Sequence, residues 1–146
     1  MLTAEEVPTA LELAREVFSE YESPVYSEEG TQEFRRCLCD GNYLAGIEYY
    51  GAFDGERLIG EIGIRPEQGH ICFFFVKGSN HRRGIGTGLF RHLLRNFPGA
   101  RITLNSSPDG LPFYQALGFR ATYCEQTVNG IRFTPMEYLT KAEQKN

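Results

Sequence analysis

Between residues 70 and 105 the chain reads as a strand, a glycine-rich turn, a helix and a second strand. HICFFFV, residues 70–76, is almost continuously apolar, as expected of a strand buried on both faces. The helix that follows sets Ile85, Leu89, Phe90, Leu93, Leu94 and Phe97 on one stripe. Pro98-Gly99 stops it, and RITLN (101–105) reads as the next strand. Such a crossover puts two parallel strands into one sheet with a helix across it, which commits the chain to a mixed α/β or α+β architecture.

The turn carries Gly84, Gly86 and Gly88 at the start of that helix. Each glycine in a helix costs about 1 kcal/mol relative to alanine, so three cost roughly 2–3 kcal/mol. Tight packing on the sheet accounts for one glycine more easily than for three. A helix start offers unpaired N–H groups and the positive end of the macrodipole, and without Cβ atoms a phosphate can reach them. Lys77, Arg82 and Arg83 add positive charge nearby. The turn therefore points to a phosphate-bearing ligand. Neither familiar nucleotide motif fits. Gly88 is followed by Leu89-Phe90, where a P-loop needs Lys-Ser/Thr. The spacing is G-x-G-x-G, and no acid follows the glycines before Asp109, so the dinucleotide fingerprint fails too.

The flanks complete the pattern. Thr3-x-x-Glu6 and Thr9-x-x-Glu12 have capping-box form, and Ala10, Leu11, Ala14, Val17 and Phe18 follow helical spacing. Ser27 is placed to cap a second helix bearing Phe34, Cys37 and Leu38. GIEYYGAF and RLIGEIGI form a hairpin around Asp54-Gly55. LPFYQAL reads as a short helix stopped by Gly118, and two last strands meet at Asn129-Gly130. Pro135 predicts an edge or a bulge in the final strand. The expected order is ααβββαβαββ in one domain, residues 1–146.

Charge separates along the chain. Residues 68–108 hold no Asp or Glu but six basic residues, while the remainder nets −10. One segment suits an anion and its surroundings suit a cation. Arg91 and Arg95 read as the solvated face of their helix. A net-acidic chain is a poor general nucleic-acid binder, and no apolar run approaches the ~20 residues of a membrane span. MLTAEEV lacks the features of a signal peptide, and four cysteines without zinc spacing read as free thiols. A cytoplasmic protein without metal is expected.

Two segments carry a family resemblance. His81-Arg82-Arg83-Gly84-Ile85-Gly86 follows the Arg/Gln-x-x-Gly-x-Gly/Ala motif of the GNAT (Gcn5-related) N-acetyltransferase family, with His at the first position. Pro112-Phe113-Tyr114-Gln115-Ala116-Leu117-Gly118-Phe119 is similar to that family's FYxxLGF, and Asn105-Ser106-Ser107-Pro108 precedes it as in one branch. The resemblance covers essentially the whole chain in element order, with only Met1-Leu2 left of the first strand. It implies a mostly antiparallel central sheet of six to seven strands, flanked by about four helices, with two splayed parallel strands in the centre.

It also implies acetyl-CoA as co-substrate and acetyl transfer to a primary amine by direct attack in a ternary complex. Pantetheine would lie between the strand ending in Phe75-Val76 and the strand ending in Leu104-Asn105. The Val76 N–H would stabilise the oxyanion. Residues from His81 through Arg82, Arg83, Gly84, Ile85, Gly86 and Thr87 to Gly88 would hold the pyrophosphate. Tyr114 would protonate the departing thiolate. A general base is less marked: Glu61 mid-strand is one candidate, placed on the face opposite Leu58, Ile62 and Ile64; Glu48 and His70 are others, and a water relay is a further route. The acceptor, a small-molecule or peptide amine, would meet the acidic N-terminal half, with Tyr49 and Tyr50 as lining candidates. Adjacent strand residues face opposite ways, so at most one of the two points in. The protein is expected as monomer or homodimer. The competing readings are a non-catalytic acyl-CoA-binding or regulatory module on the same fold, and a domain whose basic segment holds another polyanion.

Overall fold

The computed structural model describes residues 1–22, 27–78 and 84–140. Helix α1 (Val7–Val17) carries Pro8 in its first turn, where a missing N–H leaves no bond unmade. Glu6 accepts from the Thr3 N–H at 2.9 Å, one half of the expected capping box. The second candidate box lies inside the helix, where Glu12 pairs with Arg15 instead. A π-helical turn (Phe18–Glu22) follows. Helix α2 (Glu28–Leu38) starts at Ser27, whose Oγ accepts from the Gly30 N–H at 3.1 Å. A single turn, α3 (Gly41–Leu44), capped by Asp40, was not anticipated.

Seven strands follow: β1 (Glu48–Asp54), β2 (Arg57–Arg65), β3 (His70–Val76), β4 (Arg101–Ser106), β5 (Arg120–Ala121), β6 (Gln126–Val128) and β7 (Ile131–Leu139). Helix α4 (Ile85–Asn96) crosses from β3 to β4, and α5 (Leu111–Leu117) follows β4. The sheet order is β1-β2-β3-β4-β7-β5, with β6 pairing β7 as well. Every pairing is antiparallel except β3 with β4. That parallel pair meets only at His70↔Thr103 and Ile71↔Leu104, after which the two strands part. The mixed, mostly antiparallel sheet with splayed central strands is thus as expected.

Three local expectations change. The first hairpin turns on Gly55-Glu56, with Asp54 already paired to Arg57. Pro135 sits on an inner strand: β7 runs between β4 and the β5 and β6 segments. The proline lies between the residues of β7 that pair β6 and those that pair β5, while its carbonyl accepts from the Thr122 N–H at 2.9 Å. Its absent donor thus falls beside an interruption rather than an open edge. Finally, β3 alternates buried and half-buried residues instead of being uniformly covered.

Each face of the sheet has its own core. Helix α1 and its neighbours cover Tyr49, Leu58, Phe73 and Phe75, with Leu13, Val17, Phe18 and Leu2 packed above them. Helices α4 and α5 cover Ile62, Ile64, Ile71, Ile102 and Leu104 with Leu89, Phe90, Leu93 and Phe119. A bulge at Ala52/Phe53 reverses the alternation of β2, so Leu58 falls on the α1 face with Glu61, not opposite it. In the far half of the sheet, Glu137 of β7 accepts from Arg101 of β4 and Arg120 of β5, each at 2.6 Å.

Candidate active site

The opening between β3 and β4 follows from their short pairing. Lys77 donates its N–H to Ile59 at 2.8 Å. Alternation along an antiparallel ladder then turns the backbone groups of Val76 (opposite Gly60) and Phe74 (opposite Ile62) away from β2, towards the gap. A strand-like ligand with amide groups could pair with that edge.

The gap leads into a cavity of about 300 Å³ on the α1/α2 face. Its walls near the gap are Phe74, Phe75, Leu104, Asn105, Ser107 and Tyr114. Deeper, Phe18, Phe34, Tyr43 and Phe73 form an aromatic wall. The Phe18 and Phe34 rings stack with centroids 3.9 Å apart, and Phe34 meets Phe73 and Phe75 edge-on. Ile131 and Phe133 of β7 face them from the other side. Phe75, Asn105 and Tyr114 are therefore brought together as expected. Phe74, Phe113 and Phe119 surround the Tyr114 ring at 5.4–5.8 Å, which fixes it beside the gap.

Polar side chains interrupt the aromatic wall, among them His70, Glu33, Tyr43 and Asn129. His70 opens β3 and shares a hydrogen bond with the Thr103 hydroxyl, Nδ1 to Oγ1 at 2.8 Å. Burial first, and the Arg65 charge second, lower its pKa below the usual 6.5, so the ring is neutral at pH 7. Arg65 itself is held by the carbonyls of Tyr43 and Ala45. Cys37 and Cys72 line the cavity, and burial pushes both thiols up, away from the reactive thiolate. Burial also raises the Tyr43 hydroxyl to about 12. Glu33 stands on α2 with its carboxylate forked by Arg36, at 2.7 and 3.2 Å, which holds its pKa below the ordinary carboxylate value.

Two sets of expected residues lie elsewhere. Tyr49 packs into the core beneath α1 with its hydroxyl buried and without a partner, and burial raises that hydroxyl's pKa. Tyr50 points to the opposite face, its ring 5.3 Å from that of His92 on α4. Neither lines the cavity. Glu61 is 1 % exposed, on the α1 face between Gly51 and Phe75, and neither carboxyl oxygen has a hydrogen-bond partner. Burial raises its pKa well above the carboxylate range. It too is absent from the cavity wall, and it pairs with neither Arg57 nor Arg65. Glu48 opens β1 outside the cavity.

At the glycine-rich turn, His81, Arg82 and Arg83 lie outside the described residues. Gly84 caps α4 in the left-handed region, φ +78°, where a side chain would be strained. A methyl on Gly86 would come within 2.9 Å of the Phe113 ring, so this glycine lets α4 and α5 approach. Two of the three glycines therefore answer to the fold itself, more than packing was expected to explain. Gly88 is exposed, with nothing within 4 Å of where its Cβ would be. Its own N–H donates to the Gly84 carbonyl at 3.0 Å, so by helix geometry it is the N–H groups of Ile85, Gly86 and Thr87 that lack an intrahelical acceptor. Lys77 instead lines a shallow depression with Glu12 and Glu16 of α1. Arg91 and Arg95 are exposed, as expected of a solvated helix face.

The aromatic wall was not foreseen, because its members come from segments far apart in sequence. The stripe of Phe34 and Cys37 on the second helix was the one signal that could have found it.

Comparison with known proteins agrees with this geometry. The model of the acetyltransferase (GNAT) domain matches residues 22–140, and the chain belongs to that family. No curated protein sequence matches it significantly. Among solved structures, a GCN5-related N-acetyltransferase from Rhodopseudomonas palustris superposes with a TM-score of 0.79 at 19% identity, covering 94% of this chain and 92% of the other. The PaiA N-acetyltransferase from Thermoplasma acidophilum in complex with coenzyme A gives 0.69 at 22% identity, over 94% and 95%. An aminoglycoside 6'-N-acetyltransferase complexed with coenzyme A gives 0.64 at 15%, over 95% of each chain. At these identities the likeness is one of fold. All four cysteines are free. Among the described residues no helix is long and apolar enough to cross a membrane, and no cluster of three His, Cys, Asp or Glu could hold a metal.

Proposed function

We propose that the chain is an acetyl-CoA-dependent N-acetyltransferase that acts on a primary amine by direct transfer. The observation that carries this reading is the gap between β3 and β4, which opens into a cavity holding both Tyr114 and His70. Acetyl-CoA supplies the activated acetyl group. The outward-facing backbone of Phe74 and Val76 would pair with its pantetheine amides, and Asn105 and Phe75 would flank it. Residues 84–88 at the start of α4, with His81, Arg82 and Arg83 before them, would hold the pyrophosphate.

A free alkyl amine has a pKa near 10.4 and must lose a proton to attack. His70, neutral at pH 7 and lining the cavity, is placed to accept it directly or through water. Glu61 is set aside as base because it is sealed beneath α1. As the C–N bond forms, an N–H of Phe74 or Val76 would stabilise the negative charge growing on the acetyl oxygen. The C–S bond breaks, and the Tyr114 hydroxyl gives its proton to the departing sulfur. The two cavity thiols are held neutral by burial, which favours direct transfer over an acyl-cysteine route.

Calorimetry with acetyl-CoA and ATP at low and moderate salt tests the co-substrate. Tight, salt-sensitive and CoA-selective binding is expected, and equal affinity for ATP would reduce the reading to a fold. Tyr114→Phe tests the chemistry: turnover should drop by about 10²–10⁴-fold with CoA affinity nearly unchanged. Unchanged turnover would remove Tyr114 as the acid.

A further inference from the structure

We infer that the acceptor is a small monoamine with an uncharged, apolar body, aromatic or branched-alkyl, and not a polyamine, an aminoglycoside, an amino acid or a peptide lysine. The inference rests on the proposed acetyl transfer and names the substrate class of that same cavity. Three observations carry it.

The first is the chemistry of the wall. Beyond the gap, the space left for an acceptor is bounded by Phe18, Phe34, Phe73, Phe75, Ile131 and Phe133, with Tyr43, Glu33 and Asn129 as polar breaks in that wall. A ring or branched chain there keeps apolar contacts on most sides, whereas a hydroxylated sugar or a charged chain would lose its hydration with few partners in return.

The second is charge. Among the described residues Glu33 is the only carboxylate in the wall, and Arg36 already forks it. A second ammonium group, as a polyamine or aminoglycoside carries, would find no unpaired carboxylate among the described wall residues. Nor does the described wall contain a lysine or arginine, so an acceptor carboxylate would be equally unpaired. What remains is a single amine, which apolar surroundings also help to deprotonate.

The third is closure. The α2 wall and the β6–β7 wall meet at Gly30 and Gly130. A methyl on Gly30 would run into the Gly130 carbonyl, and one on Gly130 into the Gly30 nitrogen. Ser27 Oγ donates to the Gly130 carbonyl at 3.3 Å across the same junction. With backbone against backbone, nothing threads through this junction, and a cavity of about 300 Å³ that must also admit the acetyl thioester leaves room inside it for only a small body.

The test is an initial-rate panel with acetyl-CoA, following thiol release, on phenethylamine, isoamylamine, L-phenylalanine, spermidine, kanamycin and a lysine peptide. Calorimetry of phenethylamine in the presence of CoA runs alongside it. Phenethylamine or isoamylamine should exceed each charged acceptor in kcat/KM by about tenfold or more. Phe34→Ala should raise KM for phenethylamine while kcat stays close to wild type. Preferred use of kanamycin, spermidine, L-phenylalanine or the peptide would overturn the acceptor class and leave acetyl transfer standing. Saturable phenethylamine binding with no turnover of any amine would support the pocket and overturn the transfer reading. If phenethylamine is neither bound nor acetylated, the inference falls.

Discussion

Glu61 and Glu137 are both buried glutamates of one sheet, and the protein treats them in opposite ways. Glu61, on the β1–β3 half, lies under α1 with no partner for either oxygen, and burial raises its pKa. Glu137, on the β4–β7 half, is clamped by Arg101 and Arg120, whose hydrogen bonds lower its pKa. The contrast extends to the packing around them. The face under α4 and α5 is an aliphatic and aromatic core that joins both halves of the sheet. The face under α1 and α2 holds the cavity, the lone carboxyl and the unpartnered Tyr49 hydroxyl. One face is a continuous apolar core, and the other combines a core with a cavity and, away from that cavity, two buried polar side chains without partners.

Damage to the α4 face should have the largest effect on this comparison. Phe90 is 2 % exposed, and Phe90→Ala is expected to destabilise the protein by about 3–5 kcal/mol in urea unfolding. A loss under about 1 kcal/mol would mean that this core is no tighter than the other. The α1 face should respond with the opposite sign. Glu61→Leu removes an unsatisfied buried carboxyl and is expected to gain on the order of 1–3 kcal/mol at pH 7.

The pH dependence sharpens that second case. Below the ordinary value of 4.5, Glu61 is protonated in both folded and unfolded chains. Above it the unfolded chain ionises while the folded group keeps its proton, so stability falls as pH rises towards the elevated folded value. Wild type minus Glu61→Leu should show this fall, and a flat difference would mean that Glu61 has a partner in solution. Glu137 gives the smallest effect and the reverse slope. Its contribution is full above 4.5 and lost as pH drops through its depressed folded value. Glu137→Gln should cost about 1 kcal/mol or less at pH 7, since both arginine side chains are more than half exposed.

Most of the scaffold was legible in the sequence because its punctuation is local. Ser27 caps a helix, Asn129-Gly130 turns a hairpin, and Gly118 ends α5 at φ +113°, each through a contact or dihedral spanning a few residues. The site was only half legible. Phe75 and Asn105 sit near the ends of the two strands that the crossover joins, and Tyr114 in the middle of the short helix after them, so placing the elements places them. Tyr49 and Tyr50 were misassigned because alternation separates two faces without saying which one holds a cavity. Glu61 reads in sequence as a candidate base on the face opposite Leu58, Ile62 and Ile64, and only the docking of α1 shows that face to be sealed. The reversal at Leu58 depends on a bulge that no local signal announces. His70, one of three side chains weighed as a base, is the one of them that lines the cavity.

The meeting of Gly30 and Gly130 bears on how the chain can vary. The two positions are a hundred residues apart, yet neither accepts a single added carbon unless the other backbone retreats. In a saturation library selected for folding, both columns should be nearly empty of substitutions, while neighbouring cavity positions such as Cys37 and Ile131 vary. The acceptor preference can then drift by changing the side chains of either wall, as long as the seam where the two walls join is inherited unchanged.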